Sequence, residues 1–384
     1  MRAFYFYAYF FASFLISGCF LRKDSSPRPV IDNEIRLGEF GAMTGPESVF
    51  GTDTHKGIWL AVEEANRKGG IRKKNIKIIS YDTEGLAEKA ISSVTKLITQ
   101  DHVHVILGEV ASSLSLAAAP VAQSYQIPMI SPASTHPQVT QLGNYIFRSC
   151  FIEPFQGSVM AKFALNHLNL KKAAILRDQE SDYSHALANF FSDDFKKMGG
   201  QVLIDLNYSS RMENYRAQLQ KIKSTKADII FIPGYYRDVE KIMFLAKQLG
   251  IRSVLLGGDG WDGLNLKPDD HSPLLPAYFS NHFSADDQNP VVQGFVARFE
   301  EQFGHRPSGL SALGYDAASI AIDAIQRAPD LSPKNIRDAI ASTRNYQGVT
   351  GVVSINTGRN AVKPAVVLKV ESSGKFSYVS SINP

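Results

Sequence analysis

Gly57-Ile58-Trp59-Leu60-Ala61-Val62-Glu63-Glu64-Ala65-Asn66, stopped by Gly69-Gly70-Ile71 and followed by Ile76-Lys77-Ile78-Ile79-Ser80-Tyr81, gives the unit from which the rest of the chain is built. Ile58, Ala61, Val62 and Ala65 recur at helical spacing, and the glycine pair supplies a left-handed stop. The apolar run at 76–81 has strand length. Ala87, Ala90, Ile91, Val94, Leu97 and Ile98 then make a second helix face ahead of a strand at 103–107. A third unit pairs a helix over 114–121 with a strand at 128–131. Near-continuous apolar strands joined by amphipathic helices predict a parallel sheet covered on both faces.

The alternation restarts further on. Strands are expected at 173–176, 202–206, 228–232 and 254–256, with helices at 186–198, 215–222 and 239–249. Helical patterns at 291–303, 310–328 and 333–342 follow, then β-like pieces at 352–355, 365–370 and 376–379. At 384 residues the chain exceeds one compact lobe. The pattern reads as two doubly wound α/β lobes and a tail that returns to complete both.

Composition is that of a globular protein, 44% hydrophobic and 20% charged. The net charge of +4 has no basic block longer than Arg72-Lys73-Lys74, which argues against nucleic acid. Arg2 followed by an apolar, aromatic-rich run to Ile16 and by Ser17-Gly18-Cys19 reads as a secretory signal. The run is shorter than the roughly 18–20 residues a spanning helix needs. An uncleaved anchor is the alternative, and both readings tether the chain to a membrane. Ile16-Ser17-Gly18-Cys19 resembles the bacterial lipobox, which implies lipidation of Cys19 and removal of what precedes it. Cys150 is then the one remaining cysteine, so no intramolecular disulfide is available. Residues 20–33, polar with two prolines, read as a linker.

In open parallel sheets, ligands bind beyond the carboxyl ends of the strands. Those loops are 41–46 leading to Phe50-Gly51, 108–113, 131–135, 178–183, 233–236 and 257–261. The first lobe offers hydroxyls and expected helix starts at Ser112 and Thr135, suited to a carboxylate. The second offers Asp259, suited to an ammonium, with Tyr183 and Tyr235 to pack on it. Taken singly, such a serine is an N-cap and such a tyrosine is packing. Their convergence on strand-end loops is what points to a zwitterion held between lobes.

The chain resembles the leucine/isoleucine/valine-binding proteins, the periplasmic receptors of branched-chain amino acid ABC transporters. The resemblance runs from Ile35 to the C-terminus. It rests on 57–66 with Gly69-Gly70-Ile71, 112–120 with Leu116-Ala117-Ala118, Phe147-Arg148, Gln156-Gly157, 255–262 and Gly348-Val349-Thr350-Gly351. It implies the type I periplasmic-binding-protein (Venus-flytrap) fold with three hinge crossings. Lobe one would span 34–151 and 285–347, lobe two 152–284 and 348–384. It also implies that Ser112, Ala133 and Thr135 hold a ligand carboxylate, that Asp259 pairs with its ammonium, and that Tyr183 and Tyr235 are aromatic site positions. Phe50 stands where some members carry Tyr, and Ser184 where Gly is usual.

Other chemistries find weaker support. Gly258-Asp259-Gly260-Trp261-Asp262-Gly263 is a literal GxGxxG, but Pro268 and Asp269-Asp270 follow where a helix would have to start, and Asp259 would repel a pyrophosphate. His102 and His104 lack a third metal ligand at suitable spacing, so flanking-loop histidines are the reading. No nucleophile elbow, zinc-protease motif or P-loop occurs. The expectation is a monomeric, lipid-anchored solute receptor serving an inner-membrane ABC permease, with no catalytic residues, cofactor or metal. The solute is expected to be an amino acid, branched-chain or otherwise aliphatic. The alternatives are a same-fold sensor or activator of a cell-wall enzyme, a receptor for amides, urea or aromatic acids, and, weakest, an enzyme.

Overall fold

The computed structural model describes residues 34–210, 214–266 and 275–384. The leader, Cys19 and the linker lie outside these described residues. The first sheet is made by β1 (Glu34–Gly41), β2 (Asn75–Asp82), β3 (Val105–Leu107), β4 (Met129–Ser131) and β5 (Ile146–Arg148), all parallel, in the order β2-β1-β3-β4-β5. Between them run α1 (Ser48–Arg67), α2 (Ala87–Thr99), α3 (Ser112–Ser124) and the single turn α4 (Gln138–Gln141). The second lobe opens with α5 (Glu153–Lys162), β6 (Lys172–Asp178), α6 (Asp182–Lys197), β7 (Gln201–Tyr208), α7 (Arg216–Thr225), β8 (Ile229–Phe231), α8 (Tyr236–Gln248), β9 (Val254–Gly257) and β10 (Ala277–Asn281). The chain then gives α9 (Pro290–Phe303), α10 (Gly309–Arg327), α11 (Pro333–Ala341) and the small antiparallel β11 (Tyr346–Gly348), β12 (Gly351–Ile355) and β13 (Ala361–Val362). It ends with β14 (Ala365–Val370) and β15 (Phe376–Ile382), which add an antiparallel edge to the second sheet, ordered β15-β14-β10-β9-β8-β6-β7.

The periodicity of the opening stretch explains α1. Ile58, Ala61 and Val62 bury against β1 and against Ala317, Ile320 and Ala321 of α10, while Arg67 and Lys68 stay exposed. Gly57 and Gly314 sit where the two helices cross. A methyl on Gly57 would enter the Ser311 carbonyl, and one on Gly314 the Thr54 carbonyl, so this close approach needs glycine on both helices. Asn66 ties the end of α1 to β2: its Nδ2 donates to the Ile76 carbonyl (2.9 Å) and its Oδ1 accepts the Ile76 amide (2.7 Å). Asn66→Ala is expected to cost about 1–3 kcal/mol, because it orphans a backbone pair at the strand start. Urea unfolding checks this, and an unchanged midpoint would deny the link any weight.

On the other face of the first sheet, Ala90, Val94 and Leu97 of α2 pack with Leu114 and Ala118 of α3. In the second lobe Leu219, Ile222, Val239 and Ile242 cover one face and Val159, Leu187 and Phe191 the other. Both sheets are thus buried on two sides, as expected for parallel strands.

One expected boundary moves. The residues after 347, assigned by resemblance to the second lobe, stay with the first as far as Val362. Val353, Ile355 and Ala361 share a core with Ile35 and Leu37, and the Arg148 amide donates to the Arg359 carbonyl (3.2 Å). The chain therefore passes back to the second sheet at Lys363–Pro364, between β13 and β14, the third such crossing after those that follow β5 and β10. Burial pushes the Lys363 ammonium down to about 8. It contacts the Thr350 hydroxyl, whose own proton goes to Asp316 (2.5 Å).

Candidate solute-binding site

Five loops at strand carboxyl ends, those after β3, β4, β6, β8 and β9, and the starts of α1 and α10 meet between the lobes. Phe50, Val110, Ser112, Ala133 and Leu310 from the first lobe face Tyr183, Tyr235, Asp259 and Gly260 from the second. The cavity they enclose measures about 20 Å³. That is room for a water and not for an amino acid.

The first-lobe loops are stitched together by buried hydroxyls. Ser131 Oγ donates to the Glu109 carbonyl (2.6 Å), and Ser134 Oγ lies within reach of the carbonyls of Glu109 and Val110. Arg148, fully buried at the end of β5, donates to the carbonyls of Ser134 (2.6 Å) and His136 (2.7 Å). Glu109 accepts the Ala111 amide (2.8 Å) and the Thr83 hydroxyl (3.0 Å), and burial pushes its carboxyl up to about 7. These bonds hold the approach to Ser112, which is the first residue of α3 as its sequence context suggests. Its hydroxyl is the acceptor for the His136 amide at 3.4 Å.

Thr135 departs from expectation. No long helix starts there; the next one is the single turn of α4. Thr135 Oγ1 donates instead to Glu153 Oε1 (3.2 Å), and Glu153 returns its amide to the Thr135 carbonyl (3.1 Å). Thr135 is outside the lining of the cavity. Burial raises the Glu153 carboxyl well above its ordinary range against the pull of Arg148. The other six expected ligand-binding residues do converge.

On the second lobe the GxGxxG stretch forms one tight 3₁₀ turn, Asp259–Trp261. Its glycines admit rings. A side chain at Gly258 would meet the Tyr183 hydroxyl, at Gly260 the Tyr235 ring and the Gly234 carbonyl, and at Gly263 the Tyr236 ring. The motif is there for aromatic approach to backbone, and among the described residues up to 266 no helix follows it to receive a phosphate.

Asp259 is buried and already well supplied with donors. Oδ1 accepts from Gln156 Nε2 (2.8 Å) and the Tyr183 hydroxyl (3.0 Å), and Oδ2 from His282 Nε2 (3.0 Å). Tyr183 Oη also accepts the Gly260 amide at 3.2 Å. Tyr183 stacks on Tyr235 with ring centroids 5.3 Å apart, and Phe50 meets the edges of Tyr235 (5.1 Å) and Tyr236 (5.3 Å). Ser184 uses its hydroxyl to accept the Asp178 amide (2.8 Å) at the start of α6. Across the cleft the Tyr236 hydroxyl donates to the Pro46 carbonyl (2.8 Å), and Asp262 accepts the Leu310 amide (2.9 Å). The lobes are in contact.

This arrangement, two doubly wound sheets joined by three crossings with polar loops facing across the joint, matches the periplasmic binding protein family over residues 34–375. The chain belongs to that family. It is similar to the leucine-binding protein LivK of Thermotoga maritima, with 35% identity, a TM-score of 0.84, and coverage of 91% of this chain and 99% of that one. The isoleucine complex of the substrate-binding protein LivJ from Streptococcus pneumoniae gives 29% identity and a TM-score of 0.84, over 91% and 100% of the two chains. The leucine-, isoleucine-, valine-, threonine- and alanine-binding protein of Pseudomonas aeruginosa is 24% identical over 322 residues, 83% of this chain and 84% of that protein.

Val110, Gly260, Leu310, Gln156 and His282 have site contacts that sequence reasoning did not assign. Val110 and Gly260 lay inside loops already singled out. Leu310 and His282 arrive from the returning segment and the second crossing, where no local pattern marks them. His102 and His104 precede β3, and the His104 ring accepts the Arg36 amide (3.1 Å). Among the described residues no helix is long and apolar enough to cross a membrane.

Proposed function

We propose that this chain is the solute receptor of an ABC importer, tethered through a lipid on Cys19, and that it binds an aliphatic amino acid, branched-chain first, by closing its lobes. The observation that carries the reading is the polarity of the joint. Among the described residues Asp259 alone supplies a carboxylate to the cavity, opposite the Ser112 start of α3, with Phe50, Val110, Leu310 and the tyrosine stack as apolar walls. A helix start favours the solute's carboxylate, and Asp259 favours its ammonium. The relatives named for leucine, isoleucine and valine support the same chemistry.

The small cavity means that the solute enters by lobe separation, with Tyr183 yielding its place at Asp259. The solute then stabilises the closed form by touching both lobes. A specific observation also supports a second reading, a smaller solute such as an amide or urea: the cavity is tight and Asp259 already has three donors.

A thermal-shift panel separates the two. A solute that binds the native state alone raises the melting temperature, by about 2.7 kcal/mol of stabilisation at a hundredfold excess over Kd. L-leucine, L-isoleucine and L-valine are expected to raise it while urea and acetamide leave it flat. The reverse ranking would establish the second reading, and no shift with any amino acid would sink the first.

A further inference from the structure

We infer that His282 is a positioning residue for the solute, fixing the Asp259 carboxylate from within the second hinge crossing and so tying cleft occupancy to the hinge. The inference rests on Asp259 being the ammonium acceptor. His282 follows directly on β10 and is 2% exposed. A carboxylate only accepts hydrogen bonds, so the 3.0 Å contact to Asp259 Oδ2 puts the proton on Nε2. The ring is neutral, since burial pushes it down to about 4 despite Asp259, and the Lys363 ammonium nearby acts in the same direction as burial.

The remaining surfaces of the ring face the other two crossings. Its flat side stacks on Phe151 of the first crossing, with centroids 3.6 Å apart and planes at 25°. The residue also borders a cavity of about 60 Å³ together with Thr350, Gly351 and Pro364, beside the third crossing. Nδ1 has no hydrogen-bond partner among the described residues. Such a buried orphan is uncommon and asks for an explanation. A ring whose place is set by the crossings, and not by a full set of its own hydrogen bonds, supplies one. Gln156 supports the other Asp259 oxygen, but it also bonds Ser280 (3.1 Å) and so is held within the second lobe. His282 lies in a segment whose dihedrals change when lobes part. The orientation of Asp259 Oδ2 therefore follows the hinge angle. A solute ammonium that requires one orientation selects one hinge angle.

The test uses the purified protein and L-leucine, with calorimetry for affinity and small-angle scattering for closure. His282→Phe keeps the ring and its stacking but removes the donor. Affinity is expected to fall roughly tenfold or more, as for a hydrogen bond to a charged group, with a smaller leucine-induced contraction. His282→Gln, whose amide nitrogen reaches the position of Nε2, is expected to restore most of both. Wild-type affinity and contraction in His282→Phe overturn the inference, whereas Asp259→Ala then still tests the site reading on its own. Should Asp259→Ala bind normally, the site reading falls and takes the inference with it. Nitrogen-15 spectra of the unmutated protein decide the matter independently of any variant's folding. A neutral Nε2–H tautomer at pH 7 is expected, and an imidazolium or an Nδ1–H tautomer overturns it.

Discussion

Asp259→Ala is expected to weaken L-leucine binding by tens- to hundreds-fold, on the order of 2–3 kcal/mol for a buried hydrogen bond to a charged group. Micromolar binding amounts to roughly 8 kcal/mol, so this one contact would carry a quarter or more of the total. The loss has two parts. The solute ammonium loses its counter-charge, and Gln156 Nε2, the Tyr183 hydroxyl and His282 Nε2 lose their common acceptor. Asp259→Asn separates them, because it keeps the volume and one acceptor oxygen while removing the charge. Calorimetry on both variants, with melting curves to establish folding, gives the comparison. Unchanged leucine binding in Asp259→Ala would mean that no zwitterion is held there.

Gly57→Ala should be the most damaging small substitution in the first lobe. Alanine is the better helix former by about 1 kcal/mol, so an exposed site would gain from the change. Here the added methyl meets the carbonyl and carbon of Ser311 and the amide of Tyr315, all backbone atoms of α10 that no rotamer change can move. Overpacking of this kind costs up to about 3 kcal/mol, which leaves a net loss of about 2 kcal/mol. Gly314→Ala, pressing from α10 on the Thr54 carbonyl, should act in the same direction. Urea unfolding measures both. A Gly57→Ala protein as stable as the parent would show that the helices part without cost.

The α/β alternation was readable because it is local. Ile58, Ala61 and Val62 announce a helix face and 76–81 a buried strand within a few residues of each other, and the structure sets them in contact. The short β5 and the whole of β10 escaped notice because each is defined by its neighbours. β10 earns its strand by pairing with β9 and β14, and Ala277-Tyr278-Phe279-Ser280-Asn281 shows little strand pattern alone. The same division holds at the site. Ser112, Ala133, Tyr183, Tyr235 and Asp259 were legible as strand-end loop residues, a rule of the sheet topology. The helix start expected at Thr135 was misread, because the proline-containing loop 132–137 delays the helix to Gln138, and the Thr135 hydroxyl meets Glu153. Leu310 and His282 could not be found by any local rule, since only the return of the chain brings them in.

That return sets an order of assembly. Ala317, Ile320, Ile336, Val353 and Ile355 complete the core begun by Ile35, Leu37 and Ile58. A ribosome releases the early strands long before α10, α11 and β12, so one face of the first sheet is covered by α1 without its later partners until nearly the whole chain has been made. Contacts this distant in sequence form slowly. For a chain proposed to leave the cytoplasm, the consequence is that the core of the lobe made first is completed only when the last third of the chain arrives.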